Sequence, residues 1–413
     1  MNAEFYVNNR NRLAAMLGDS SVVMLYSGTA PVKSNDEEMH PFPVNRNFYY
    51  LTGIERQNVW LMLSKSAEGA SAVLFIDEPD EEIIKWNGKM LTREEASQQS
   101  GIKAANIHYM QDMDRYVSSW MAHRATEVYF SLDRLSLRAA PTRAEEYAKL
   151  LREKFPALQI KNIARAVSSL RAVKTTEEIA CIRKAGDVTI EALKQMLKTA
   201  RPGEYEYQWA ADFEHYVARN GLRLGFQTIA ASGDNAVMLH YSDNNCVAKD
   251  GSLLLVDLGA EYQYYSADIS RTFPINGKFT ARQKELFCIV REAMEEAKDK
   301  MRPGVSTREA DKAVTDSYKK ALRTAKLIND DSDVRKYLYH GVSHSLGLDT
   351  HDPSDRTEYE PGMVVTCEPG LYVAEEGIGI RLENDILITE GAAEDLTGSR
   401  LLDPAEIESL MAR

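Results

Sequence analysis

The strongest constraint on this chain is a carboxylate where a buried strand has room only for apolar side chains. Leu253-Leu254-Leu255-Val256-Asp257-Leu258 reads as a buried strand with an acid inside it, and Tyr264-Tyr265-Ser266-Ala267-Asp268-Ile269 reads as the next. A hairpin with a two-residue loop at Tyr262-Gln263 sets Asp257 directly opposite Asp268. Facing Cβ atoms lie about 4.5–5.5 Å apart, and like charges at that distance destabilise a sheet. Such a pair needs a shared proton or a cation between its members.

The pattern returns near the C-terminus. Val364-Val365-Thr366-Cys367-Glu368 and Ile378-Gly379-Ile380-Arg381-Leu382-Glu383 flank a turn at about Glu375-Glu376, a register that lets Glu368 face Glu383. The plain alternative is acids at strand ends facing water. Two pairs, each at a register that permits opposition, point instead to one charged pocket. Cys367 adjoins Glu368, but strand alternation turns it to the opposite face, as a core residue.

The chain has 8 histidines; His340, His344 and His351 fall in a single glycine-containing segment, and His240 precedes the first acid pair. The His340/His344 spacing is half of a zincin helix, but Gly341 stands where that motif needs glutamate. Four carboxylates with a histidine are too many ligands for one structural zinc and fit two divalent ions bridged by carboxylates. Two ions about 3.5–4 Å apart can share a hydroxide and clamp a tetrahedral intermediate. Metal-assisted hydrolysis is the chemistry this donor set favours. No GxxxxGK[ST] is present, Gly377-Ile378-Gly379 lacks the rest of a dinucleotide fingerprint, and Gly341–Ser345 lacks the last glycine of a nucleophile elbow.

The length of 413 residues suggests two or three domains. A net charge of -12 argues against nucleic acid as a partner. Apolar runs such as Leu253–Val256 are too short to span a bilayer, and the N-terminus shows no secretory pattern. Four cysteines without CxxC spacing suit a reducing cytoplasm. In the first third, Val22–Tyr26, Phe48–Leu51, Val59–Leu63, Ala72–Ile76 and Glu127–Leu132 read as strands. Ala96–Gln99, Asp112–Ala122 and Arg143–Lys154 read as helical, which together predict an α/β layer domain over residues 1–170. A capping box, Thr175-x-x-Glu178, then opens a long amphipathic helix ended by Arg201-Pro202-Gly203. A second helix follows at about Tyr205–Asn220, with further helices at about Ala281–Met301 and Thr307–Thr324. The strand-like runs among them predict an α+β unit over 171–413 with a mostly antiparallel sheet.

Five segments together resemble the pita-bread metallopeptidases of the aminopeptidase P and prolidase branch: Val256–Gly259, Ala267–Phe273, His340–His344, Glu368–Tyr372 and Gly379–Glu383. Asn45–Gly53 resembles that branch's N-terminal domain. The resemblance implies a curved, pita-bread catalytic sheet and a metal-ligand set. Asp257 would bind one ion only, Asp268 and Glu383 both ions, and His344 and Glu368 the second only. It implies manganese, with cobalt or zinc as alternatives, and Glu368 as proton shuttle. His240 and His351 would hydrogen-bond the substrate. His340 and Arg381 would line the proline side, supported by Tyr372. Ser345, where relatives carry a bulky aromatic, would widen the pocket.

The implied reaction is cleavage between an N-terminal residue and a following proline, as an Xaa-Pro aminopeptidase or, alternatively, as a prolidase confined to Xaa-Pro dipeptides. Methionine aminopeptidases share the ligands but lack a large N-terminal domain. Non-catalytic relatives that bind protein partners lose ligands, and none is lost here. The branch also implies a homodimer or a dimer of dimers, with Trp86 of the N-terminal domain reaching a neighbour's pocket to touch the substrate. The alternative for Trp86 is a half-buried packing residue.

Overall fold

The computed structural model describes residues 1–31, 42–134 and 136–412. The chain folds as two compact units, Met1–Leu170 and Arg171–Arg413.

The first unit is built on strands β1 (Ser21–Tyr26), β2 (Trp60–Ser66), β3 (Gly69–Ile76), β4 (Ile107–Tyr109), β5 (Glu127–Phe130) and β6 (Gln159–Asn162). Among the described residues they lie in the order β4-β3-β2-β1-β5-β6. The β1–β2 and β2–β3 pairs are antiparallel, and the outer pairs are parallel. Helices α1 (Ala3–Ala15), α2 (Arg46–Thr52), α3 (Glu81–Asn87), α4 (Arg93–Ser100), α5 (Met113–His123) and α6 (Arg143–Lys154) complete the unit. Val22, Met24, Trp60, Phe75 and Phe130 pack with Val117 and Met121 of α5 and Ala148 and Leu151 of α6 in one core.

Phe48–Leu51, expected as a strand, lies inside α2. Its aromatics have the β-propensity that suggested a strand, but the local signals are helical. The Asn45 side chain accepts from Phe48 N, and Gly53 closes the helix in the left-handed conformation at φ 68°. Helix α3 is unusual in burying none of its residues.

Helix α7 (Ala164–Ala172) leads to α8 (Thr176–Thr199), which opens on the predicted Thr175/Glu178 capping box. Next come α9 (Glu206–Arg219) and strands β7 (Arg223–Leu224), β8 (Ile229–Ser232), β9 (Leu253–Leu258), β10 (Ala260–Tyr262), β11 (Tyr265–Ser266) and β12 (Ile269–Pro274). Two long helices follow, α10 (Ala281–Lys298) and α11 (Arg308–Thr324). The unit closes with β13 (Val364–Cys367), β14 (Gly370–Val373), β15 (Ile378–Arg381), β16 (Asn384–Leu387), β17 (Glu394–Asp395) and α12 (Pro404–Met411). The ladders of this unit among the described residues are antiparallel. Their apolar faces pack against α8, α9, α10 and α11 in a large core. Among the described residues no helix is long and apolar enough to cross a membrane.

The two hairpins that carry the acids differ in how closely they follow expectation. In the second, Cys367 pairs with Asn384 and Gly370 with Arg381, so the shared register sets Glu368 opposite Glu383. In the first, the turn lies one residue later, at Gln263-Tyr264, both with positive φ, and Tyr262 pairs with Tyr265. Asp257 therefore faces Ser270 rather than Asp268. A register shift of two keeps both acids on one face, because side chains alternate with a period of two.

Candidate metal centre

The inward faces of these hairpins and the irregular segment after α11 meet in a cavity of about 290 Å³. It is lined by Asp257, Asp268, Glu368 and Glu383, by His240, His340, His344 and His351, and by Leu239, Gly341, Ser343 and Arg381. The two acid pairs and all four singled-out histidines thus share one site. Of the predicted site residues, Tyr372 lies just behind this wall, fully buried, while Trp86 sits in the first unit on α3, 84% exposed. Ser345 does not line the cavity; its hydroxyl accepts from Lys174 Nζ.

Each ligand-type side chain is held by a neighbour. The Asp268 N–H donates to both carboxylate oxygens of Asp385, at 3.2 and 3.3 Å. Glu383 accepts from Ser270 Oγ at 2.7 Å. Glu368 Oε1 lies 3.4 Å from the Thr366 hydroxyl, and that hydroxyl also accepts from His344 N. Donors from Asp268, His344 and Glu383 lie within 4.8 Å of one another. His344 Nε2 is 3.5 Å from Asp268 Oδ2 and 3.5 Å from Glu368 Oε1. Its Nδ1 lies 3.1 Å from the Ser345 carbonyl, which can only accept, so Nδ1 carries the hydrogen and Nε2 turns a lone pair into the cavity.

Arg381 is committed to the protein. Its Nη2 donates to Asp257 Oδ2 at 2.7 Å, its Nη1 to the Tyr372 hydroxyl at 3.0 Å and its Nε to Ser270 Oγ at 2.8 Å. His340 donates from Nδ1 to the Gly341 carbonyl and accepts from the Tyr372 hydroxyl at Nε2, 2.7 Å away. Arg381 thus orients Asp257 and, through Tyr372, His340. The other Asp257 oxygen, Oδ1, is buried without a hydrogen-bond partner. A buried carboxylate oxygen left bare beside three further acids is what a cation ligand looks like before its ion.

The electrostatics agree. Burial, then the charges of Glu383 and Asp257, hold the Asp268 carboxyl well above the usual range. Burial and Glu383 do the same to Glu368. Burial and Asp257 push Glu383 up to about 8. Burial brings His344 down to about 4, so its imidazole is neutral near pH 7 and able to ligate. Cys367 is fully buried facing away, with its thiol pushed up by burial, as expected of a core residue.

These shifts fix a pH dependence. Glu383 folds with a raised value against about 4.3 unfolded, so its contribution to stability falls as pH rises toward 8. His344 folds with a lowered value against about 6.5, so its contribution is lost only as pH falls from there toward 4. Between pH 6.5 and 8 the acids act alone, and the Tm of metal-free protein should fall. A bound divalent cation removes the repulsion, so the gain in Tm on adding manganese should be larger at pH 8 than at pH 6.5, by several degrees. Scanning calorimetry with chelator or metal at both pH values checks this, and equal gains would sink the ligand assignment.

Sequence reasoning passed over Asp385, Ser270, Arg171 and Asp352 as supports. Arg171 Nη2 donates to Asp352 Oδ1 at 2.5 Å, and Lys174 Nζ lies 3.3 Å from Asp352 Oδ2, all buried directly beside His351. The polar run Glu383-Asn384-Asp385 in an otherwise apolar strand was the available signal for Asp385. Asn384 points away from the acids, donating to Asp395 Oδ2 at 2.7 Å and accepting from Arg271.

Comparison with known proteins gives the family. Residues 180–390 match metallopeptidase family M24, and residues 6–129 match the aminopeptidase P N-terminal domain. The Xaa-Pro aminopeptidase of Escherichia coli K12 is 34% identical over 98% of this chain and 97% of its own length. A solved chain from Bacillus anthracis matches with a TM-score of 0.96 at 39% identity, covering 100% of this chain and 98% of that one. Escherichia coli aminopeptidase P, solved with the inhibitor Pro-Leu, matches at 0.91 and 32% identity, with coverage of 100% and 98%. A zinc-substituted form of that protein, solved with product, matches at 0.90 with the same identity and coverage.

Proposed function

The chain belongs to metallopeptidase family M24, and from that premise we propose that it is an Xaa-Pro aminopeptidase, releasing the N-terminal residue from peptides with proline second. The observation that carries the reading is the bare Asp257 oxygen facing three acids and a neutral histidine in one cavity. The donor set suits two divalent ions held by Asp257, Asp268, His344, Glu368 and Glu383, with Asp268 and Glu383 shared. Manganese is the proposed metal, cobalt or zinc the alternatives. When bound, the metals supply an activated water at neutral pH and polarise the scissile carbonyl.

The side chains divide the remaining work. Glu368 takes the proton of the attacking water on a carboxylate oxygen and delivers it to the proline nitrogen as the bond breaks. Its position in the cavity beside His344 suits both halves of that transfer. His240 and His351 line the cavity with exposed rings that can donate to the substrate carbonyl and to the developing oxyanion. His340, oriented by Tyr372, borders the proline side. Arg381 acts there through Asp257 and Tyr372, because its donors are engaged. The free thiols Cys181, Cys246, Cys288 and Cys367 support a reducing compartment such as the cytoplasm.

The named relatives favour the aminopeptidase over the dipeptide-restricted prolidase. Turnover of Xaa-Pro-Xaa tripeptides against Xaa-Pro dipeptides, with added manganese, decides between them. Cleavage of dipeptides alone would overturn the main reading.

We propose further that the protein is at least a homodimer whose Trp86 completes a neighbour's substrate wall. Trp86 is 84% exposed, beside Ile83 at 45% and Ile84 at 38%, which supports a surface contact over a packing role. An unburied tryptophan next to two isoleucines is the composition of an interface anchor. Trp86→Ala should raise KM for tripeptides about fivefold to tenfold with metal content unchanged, the loss of about 1 kcal/mol of contact. Unchanged kinetics in a protein that is still a dimer would reject the shared wall and leave only the dimer.

A further inference from the structure

The segment that carries His240 has little regular structure. After β8 it makes one short turn at Gly233–Val237 and then runs irregularly to Cys246. Its anchor is a single buried carboxylate. Glu206, in the first turn of α9, is fully buried. Its Oε1 accepts from Ser232 N and Ser232 Oγ, each at 2.7 Å, and from Asn235 Nδ2 at 2.9 Å. Its Oε2 accepts from the Tyr241 hydroxyl at 2.7 Å and from Cys246 N at 3.0 Å. Backbone amides can only donate, so both oxygens must be acceptors, as in an ionised carboxylate. Burial and this carboxylate push the Tyr241 phenol up, which keeps it a donor.

The other side of the segment is braced by β15 and by Gly377 just before it. A Cβ built on Gly379 would lie 2.0 Å from the Ala236 carbonyl oxygen, and one on Gly377 would lie 2.4 Å from Asp234 Oδ1. The segment is thus clamped between Glu206 and a strand bare of side chains at the contact. His240 follows directly on this clamp, its ring lining the metal cavity and Tyr241 tied to the carboxylate beside it.

We infer that Glu206 is a positioning residue for His240, acting through Tyr241. The inference rests on the reading of His240 as a substrate-contacting group. Glutamine is a poor substitute for Glu206: its amide nitrogen would oppose the N–H of Cys246 in one orientation and the N–H of Ser232 in the other. Tyr241→Phe is the gentler change, deleting one hydroxyl from the ring.

The test uses the metal-loaded enzyme and a tripeptide substrate. Glu206→Gln should lower kcat about 10²-fold and Tyr241→Phe about tenfold, with bound metal retained and KM changed less than kcat. In a His240→Ala background Tyr241→Phe should cost nothing further. A full, additive tenfold loss in that background would overturn the inference. Independently, in the enzyme loaded with diamagnetic zinc, the ring signal of isotope-labelled His240, assigned by its disappearance in His240→Ala, should shift in Tyr241→Phe. An unmoved signal would overturn the inference whatever the activity. If His240→Ala itself leaves kcat intact, the substrate-contacting reading of His240 fails, and the signal still decides whether Glu206 places the ring.

Discussion

Asp268→Ala and Glu383→Ala should each lower kcat/KM by about 10³-fold or more, equivalent to at least about 4 kcal/mol of transition-state stabilisation. Both residues are buried in the cavity, and their donors lie within 4.8 Å of those of His344. In the proposed arrangement each serves both ions, so its removal weakens both at once, whereas loss of Asp257 or His344 weakens one. Metal analysis of the purified variants should therefore show less than one equivalent per chain. The stability readout runs the other way. In metal-free protein these carboxylates repel one another, and deleting one relieves the repulsion felt by the rest. The metal-free variants should be no less stable than the parent at pH 8, despite the cavity left behind. Activity lost with folding intact separates a ligand from a packing residue. Near-normal turnover with two bound ions in either variant would refute the shared-ligand assignment.

What the sequence disclosed, and what it hid, follows from the range over which each feature is determined. Glu368 and Glu383 are legible as a facing pair because their separation centres the turn on Glu375-Glu376, and the structure turns there, between the paired Val373 and Ile378. The first hairpin closes on Gln263-Tyr264, residues whose type gives no positive-φ signal, so the sequence puts the turn one residue early. The site survived that error because the slip was even and both acids stayed on the cavity face. Phe48–Leu51 reads as a strand by its aromatic composition, but the caps at Asn45 and Gly53 decide for a helix. The metal cavity itself was legible because buried acids are costly and therefore few. Its supports were not. Asp385, Ser270 and Glu206 act through contacts between elements distant in sequence, Glu206 reaching across 26 to 40 positions. Nothing in a first-turn glutamate at a helix start distinguishes a buried anchor from a solvated capping charge.

The same distinction between what touches the reaction and what holds it in place sets the expectation for His351. Its ring stands edge-on to His344, with centroids 4.3 Å apart and planes at 89°, and it lines the cavity while remaining exposed. The backbone beside it is fixed by a buried charge cluster: Asp352 between Arg171 and Lys174, with the Asp349 N–H on Asp352 Oδ1 at 3.1 Å. A pinned backbone and a solvent-facing ring are what a group needs if it is to meet a substrate oxygen without reorganisation. His351→Ala should therefore lower kcat about 10²-fold to 10³-fold, as removal of one oxyanion donor does, with KM little altered and both metals retained. Tm should move by no more than a degree or two, because an exposed ring contributes little to packing. His351→Gln, which restores a donor at similar reach, should recover part of the rate, and a purely structural role would leave that variant no better than alanine. Loss of metal from His351→Ala would move the residue into the coordination sphere, and an unchanged kcat would remove it from the reaction.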